Sequence, residues 1–425
     1  MRRVGLAGAT GIGVGSMLGA GVFSGMWADV MAAGSWYLAA LAVAALVATA
    51  NALSTAQLAA RHPVAGGAYS YGRLELGEFA GRLAGAAFVI GKTASVGVGA
   101  VVLGTYLVPD HSQAVATVAI ALCWALNARG ITRTAAGATV IAIIVSVVLV
   151  VLILLGAFAP RSFGWFAYAP LVAPPADAGV DLAAVLTGAS AAFFAFAGYA
   201  RIATLGEEVG APERTIPRAI GIALAWVLAL YVGLAIVLRG ALDFGLAGDP
   251  SALGDAPLAA LASTLGINTA VVTVTAALAV GGAMLAVMAG AGRTAMAMAR
   301  QGDLPRSLAH QAGSGAPVRA EAVIAIAAVA LVWSPGVDLI LVSVATILAY
   351  YAVANIAAMA QRRAGRTAAL RVPVIVSAAG LLGSLVLGSV ALWGASATPW
   401  PAVAVLVVMV GWPTATTVVS RARQG

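Results

Sequence analysis

The sequence predicts an all-α integral membrane protein of twelve transmembrane helices. Three observations carry that expectation. First, 62% of the 425 residues are hydrophobic and only 9% are charged, against about 25% charged in a soluble domain. Second, the stretches 36–60, 139–158, 219–238, 267–292, 339–361, 372–398 and 399–420 contain no charged residue, and roughly 20 apolar residues cross a hydrocarbon core as a helix. Third, these stretches are rich in Ala, Val, Leu and Gly and lack the two-residue alternation of barrel strands. A mean hydropathy of +1.01 fits lipid as the solvent.

The expected spans run 5–32, 36–60, 83–108, 112–128, 134–158, 182–208, 217–240, 267–292, 319–334, 337–361, 372–394 and 399–420. The first follows Arg2 and Arg3 and is read as a retained helix rather than a cleaved leader, since similar helices follow it. The second stops at Arg61, the third starts after Arg82, and the fourth and fifth are separated by Arg129 and Arg133. The sixth and seventh are joined through Arg214, the eighth ends before Arg293, and the ninth, opening at Arg319, is the shortest. Arg362, Arg363, Arg366 and Arg371 separate the tenth from the eleventh, and Arg421 and Arg423 follow the twelfth.

These loop arginines set the orientation. With the N-terminus inside, nineteen arginines fall on the cytoplasmic side and only Arg161 and Arg239 opposite. Asp29, Asp110, Asp177, Asp181, Asp243, Asp249, Asp255 and Asp338 are all assigned outside. The expected protein is therefore multi-pass in an inner (cell) membrane with both termini cytoplasmic. The net charge of +8 is a topology signal, not a nucleic-acid patch. Cys123, the only cysteine, leaves no intramolecular disulfide and no cysteine-rich metal framework.

Two spans are interrupted at comparable depth, the first by Gly19-Ala20-Gly21 and the sixth by Ala197-Gly198. They stand five helices apart, as an inverted repeat of five plus five helices would place them. This divides a single transporter domain, 1–425, into a first repeat 1–158, a second repeat 182–361 and a last helix pair 372–420. Broken helices at corresponding positions point to a transport site at the bilayer midplane. Glycine weakens a helix interior by about 1 kcal/mol. Unwound N–H and C=O groups must then face protein, ligand or water, and helix-end dipoles suit a carboxylate and an ammonium. Close helix packing is the other use of such glycines.

Four segments in order along the chain carry a family resemblance: "GIGVGSMLGAGVFSG" at 11–25, "HPVAGGAYSYGRLELG" at 62–77, "FFAFAGYARIATLGEEVGAPERTIPRAI" at 193–220 and "AGRTAMAMARQGDLP" at 291–305. The chain resembles the amino acid–polyamine–organocation (APC) superfamily of permeases, which have the LeuT-type fold. The resemblance implies alternating access around a site between helices one, three, six and eight. It implies that Gly19, Ala20 and Gly21 offer backbone donors to a substrate carboxylate. Ala195, Ala197 and Gly198 would line the break in helix six, where neighbouring carbonyls receive the amino group. Phe194 would be the aromatic gate, with ordinary packing as its other reading. Glu207, Glu208 and Arg214 fall at the exit, either as an inner gate or as a solvated helix end.

Some departures from the family pattern are informative. Ala200 stands where relatives often carry Glu, and Arg201 follows it, so a carboxylate for a cationic side chain is missing. Arg201 either pairs with Glu208 or adds positive potential near the site. Lys92, the only lysine, falls inside the third span, and an ionisable residue at membrane depth is a functional candidate. It is read in three ways: as a substrate-binding and coupling residue that favours neutral or acidic substrates, as a replacement for a sodium ion, or as a chain snorkelling to the interface. Helix five offers Ser146 where some sodium-independent relatives use lysine. Helix eight reads Gly282-Ala283 where sodium-coupled relatives supply hydroxyls, so protons are the coupling ion left open, and uniport or exchange is equally compatible.

"AAFVIGKT" at 86–93 mimics a phosphate-binding loop, and the glycines at 11–15 mimic a dinucleotide fingerprint. Both lack the strand such motifs need. No catalytic triad, zinc-spaced ligand set or paired intramembrane carboxylates is expected. Neither enzymatic activity nor a cofactor or metal follows. The expectation is a permease for amino acids or related small organic ions, with a channel or an amino-acid sensor as alternatives on the same fold.

Overall fold

The computed structural model describes residues 4–62, 66–130, 135–158, 179–203, 205, 209–243, 256–313, 315–365, 370–395 and 400–414. It is a bundle of helices, and the described residues form no strand beyond one isolated bridge between Val4 and Val209. Eight helical stretches among them are long and apolar enough to cross a membrane.

The first predicted span is split into α1 (Leu6–Met17) and α2 (Met26–Ala33), joined by a π turn at Gly21–Gly25. After it come α3 (Tyr37–Arg61), the short α4 (Ala68–Leu76), α5 (Glu78–Leu107), α6 (Ser112–Ala128) and α7 (Ala135–Ala157). The chain then repeats this order with α8 (Leu182–Phe196), a 3-10 turn at Ala197–Tyr199 and α9 (Ala200–Ala203). Next are α10 (Pro212–Asp243), the short α11 (Pro257–Thr264), α12 (Thr269–Arg300), α13 (Val318–Val332) and α14 (Leu339–Arg363), with α15 (Val374–Gly394) and α16 (Trp400–Leu406) last.

Several helices outrun their predicted ends. Span eight continues to Arg300 rather than stopping at 292, and span three starts at Glu78 rather than 83. Buried Asp303, just past the end of α12, pairs with Arg82 in the added turn of span three and holds these two ends together. Small residues set how closely the helices approach, as expected where lipid gives no hydrophobic drive to helix association. Gly85 lies against Met298 and Gly99 against Met284, so α5 and α12 run antiparallel in close contact. Inside the α3–α14–α15 contact, the Asn355 amide donates to Asn51 Oδ1 at 2.6 Å and Ser384 Oγ donates to the same oxygen at 3.1 Å. Exposed Leu46, Ile143, Ile326, Ile375 and Leu382 line the outer surface, as lipid contact requires.

Candidate functional site

The site grows from the two interrupted helices. α1 stops at Met17; Leu18 leaves helical geometry with φ −79 and ψ 39, and Gly19 follows as a bend. The helix resumes at Ala20 and widens into the π turn before α2. Gly21 presses against the backbone of Ala195, and Gly198 presses against the carbonyl of Ser16. A Cβ at either glycine would run into backbone, so these glycines serve close approach as well as bending. The interruptions therefore sit back to back.

The two breaks are not alike, which corrects the expectation that both spans unwind. Span one opens at Leu18–Gly19, one residue before the predicted glycine-alanine-glycine, whereas span six tightens into the 3-10 turn and continues as α9. Tyrosines explain how the exposed carbonyls are satisfied. Tyr231 Oη on α10 stands 2.8 Å from the Met17 carbonyl oxygen and 3.0 Å from that of Ala195. Tyr351 Oη on α14 donates to the Ala197 carbonyl at 3.4 Å. A phenol carries one proton, so Tyr231 donates to one break at a time.

A cavity of about 360 Å³ opens between these interruptions, α5 and α12. Gly19, Ala20, Gly21, Lys92, Phe194, Ala195, Ala197 and Gly198, the residues singled out from sequence, all line it. Sequence reasoning missed Ser16, Phe88, Ser95, Met284, Arg293 and Thr294, which line it too. On α5 the lining residues Phe88, Lys92, Ser95 and Gly99 recur at helical spacing, a signal available once Lys92 was chosen.

The cavity is long, and its parts differ. Ala283 of α12 faces Gly19, fixing the level of the break. The constant offset between α5 and α12 puts Lys92 across from Ala291, eight residues further along α12, or about 12 Å at 1.5 Å per residue. Lys92 therefore belongs to the half of the cavity nearer the C-terminal end of α12, not to the break. Its side chain is 9% exposed, its Nζ lies 5.8 Å from the Phe88 ring centroid, and among the described residues no hydrogen bond or ion pair reaches it. Arg293, two residues past Ala291, lines the same half, Arg201 lines the cavity just after the second break, and no carboxylate is among the lining residues described.

The opposite end is closed. Phe23 and Tyr106 meet edge to face with ring centroids 5.5 Å apart, and Tyr106 Oη donates to the Phe23 carbonyl at 3.1 Å. The amide of Leu258 on α11 donates to Tyr106 Oη at 3.3 Å, so α11 is latched over this end. At the Lys92 end, buried Asp303 accepts from Arg73 at 2.8 Å, Arg82 at 2.7 Å and Tyr69 at 2.8 Å. Burial, and then the Asp303 carboxylate, hold the Tyr69 hydroxyl well above its usual range. Two of the segments that carried the family resemblance, 62–77 and 291–305, thus meet at Asp303.

Other expectations need correction or fall elsewhere. Asp29, assigned to the outer side within the first span, is fully buried in α2 against Gly188 of α8, and neither carboxylate oxygen has a hydrogen-bond partner among the described residues. Glu321 of α13, within the predicted ninth span, is 1% exposed and packs against Gly292. Helix packing brings in both side chains; local hydropathy registers only that they are charged. Ser146 accepts a hydrogen bond from the Trp226 indole at 3.1 Å and does not line the cavity. Glu207 and Glu208, and hence the proposed Arg201–Glu208 pair, lie outside the described residues, as does Arg161. No cluster of potential metal ligands occurs among the described residues.

An apolar helix bundle with a cavity between two interrupted helices is the framework of a membrane transporter. Residues 4–419 match the family model described as amino acid permease, and the chain belongs to that family. It is 44% identical over 368 residues to an uncharacterized transporter of Mycobacterium tuberculosis, covering 84% of this chain and 80% of that one. It is also 28% identical to the vacuolar cationic amino acid transporter 4 of Arabidopsis thaliana, covering 81% of this chain and 60% of the relative. The mitochondrial cationic amino acid transporter 3 of the same plant is 29% identical, covering 69% and 51%. The chain is thus an APC superfamily permease and not an enzyme.

Proposed function

We propose that this permease is a secondary transporter carrying neutral or acidic amino acids across an inner membrane by alternating access, with twelve spans and both termini cytoplasmic. The observation that carries the reading is the cavity itself. It joins the backbone of two interrupted helices to a wall with three cations and no carboxylate among its described residues. A zwitterion has its α-carboxylate received by N–H groups around Ala20 and Gly21, where the helix that resumes after the break presents its positive end. Its amino group takes the carbonyls of the second break, in competition with Tyr231 and Tyr351. Phe194 covers the site.

The plant relatives are named for cationic substrates. At a wall carrying Lys92, Arg201 and Arg293, a cationic side chain meets like charge, and no carboxylate is among the described lining residues. The closed Phe23–Tyr106–Leu258 end, and the mouth beside exposed Arg293, fit an inward-facing state.

The test is counterflow in proteoliposomes loaded with each of the common amino acids. Saturable uptake, accelerated by neutral or acidic amino acids on the far side and not by arginine or lysine, is the expected result. Unsaturable flux without such acceleration would indicate a channel, binding without flux a sensor, and preference for arginine would overturn the substrate class alone.

A further inference from the structure

We propose that the inner half of the cavity holds a second, anion-binding subsite centred on Lys92 and separate from the helix interruptions. Lys92 is 9% exposed, lines the cavity, and receives no hydrogen bond or ion pair among the described residues. The Phe88 ring at 5.8 Å offers cation–π contact, which leaves the three ammonium donors without an acceptor among the described residues. A buried cation at membrane depth is costly without a counter-charge. A snorkelled lysine would carry its ammonium to water at the interface, and this one stays within the protein, over Phe88.

Among the described residues no carboxylate pairs with Lys92 to supply that counter-charge. Glu321, the buried carboxylate of neighbouring α13, packs against Gly292, is hydrogen-bonded to Asn127 and lies near the Arg293 charge. Across the cavity Thr294 and Arg293 of α12 stand within about one turn of Ala291, the residue level with Lys92. On α5 itself Ser95 lies one turn away on the same face. A small anion here meets one buried ammonium. The Thr294 hydroxyl donates to the Gly290 carbonyl at 3.1 Å and Ser95 Oγ to the Gly91 carbonyl at 2.9 Å, so each must turn to serve it. Arg293 at the mouth is shared with Glu321.

Depth separates this subsite from the first. About 12 Å along α12 lies between the level of Gly19 and that of Lys92, too far for a carboxylate held at the break to touch Lys92. The ligand is either a carboxylate of the amino acid on its way inward, a version that rests on the transport reading above, or a free inorganic anion.

Thermal melting of the full-length protein in nanodiscs tests this with L-glutamate, chloride and phosphate, comparing wild type with Lys92→Gln and Lys92→Arg. The expected result is a concentration-dependent rise in melting temperature whose apparent affinity falls at least about tenfold in Lys92→Gln and returns in Lys92→Arg. A Lys92-dependent response to glutamate identifies substrate carboxylate, and one to chloride or phosphate alone identifies a free anion. Equal responses in all three proteins, or none, overturn the subsite. Phe88→Trp gives a second readout that does not depend on the folding of Lys92→Gln, since its emission changes when an anion binds beside Lys92. If no amino acid is transported while the Lys92-dependent anion response persists, the transport reading fails and the subsite stands.

Discussion

Asp29 shows what a single residue contributes when its surroundings were not chosen for it by local sequence. It lies in α2 with both oxygens buried and unbonded, and Gly188 leaves just enough room, since a Cβ there would lie 2.8 Å from Asp29 Oδ1. A buried acceptor without a donor costs about 1–3 kcal/mol, and more if it is charged. Leucine has nearly the same shape and needs no partner. Asp29→Leu is therefore expected to raise the melting temperature of the detergent-solubilised protein, corresponding to about 1–3 kcal/mol. A lower melting temperature would mean that the carboxyl has a partner in the folded protein. Sequence put Asp29 on the outer side with the other aspartates, and hydropathy cannot register the α2–α8 contact that buries it. Lys92 was legible for the opposite reason, being the sole lysine inside a long apolar run. Its depth was not legible, because depth is set by the register of α5 on α12.

At the scale of the helical element, the interruptions were readable from glycine and their different shapes were not. The difference comes from Tyr231 and Tyr351, which reach the break carbonyls from helices distant in sequence. With one hydroxyl proton between Met17 and Ala195, Tyr231 links the two breaks and competes with the substrate's ammonium for the second. Tyr231→Phe keeps the ring, including its edge-to-face contact with Phe196 at 5.1 Å, and removes only the donor. The expected outcome is a folded protein with altered transport. Loss of one donor at two backbone acceptors is worth about 1 kcal/mol, or several-fold in the KM for uptake. The measurement is uptake kinetics, and unchanged KM and maximal rate would show that water replaces the phenol without consequence.

For the whole molecule, the order of elements and the pattern of helix contacts recur between the two halves of the chain. The chain order of an interrupted helix, a long helix, a short helix and three more occurs twice, with α4 matched by α11. Contacts are exchanged in the way a five-helix offset requires. α1 packs on α10 as α8 packs on α3, α5 on α14 as α12 on α7, and α5 on α6 as α12 on α13. In the proposed inverted arrangement each half can close one end of the shared cavity, and here the Leu258 end is closed among the described residues. That asymmetry makes alternating access measurable. Cys123 is the sole cysteine and is buried, so Cys123→Ser provides a clean background. Ala297→Cys reports the open half of the cavity and Leu258→Cys the sealed end, where Leu258 is fully buried. Without substrate, a membrane-impermeant thiol reagent should modify Ala297→Cys much faster than Leu258→Cys. A transported amino acid should slow the first and speed the second, because a ligand shifts a two-state equilibrium by its differential affinity. If a saturating transported amino acid leaves both rates unchanged, the two ends do not open in turn, and the single-conformation channel becomes the better description.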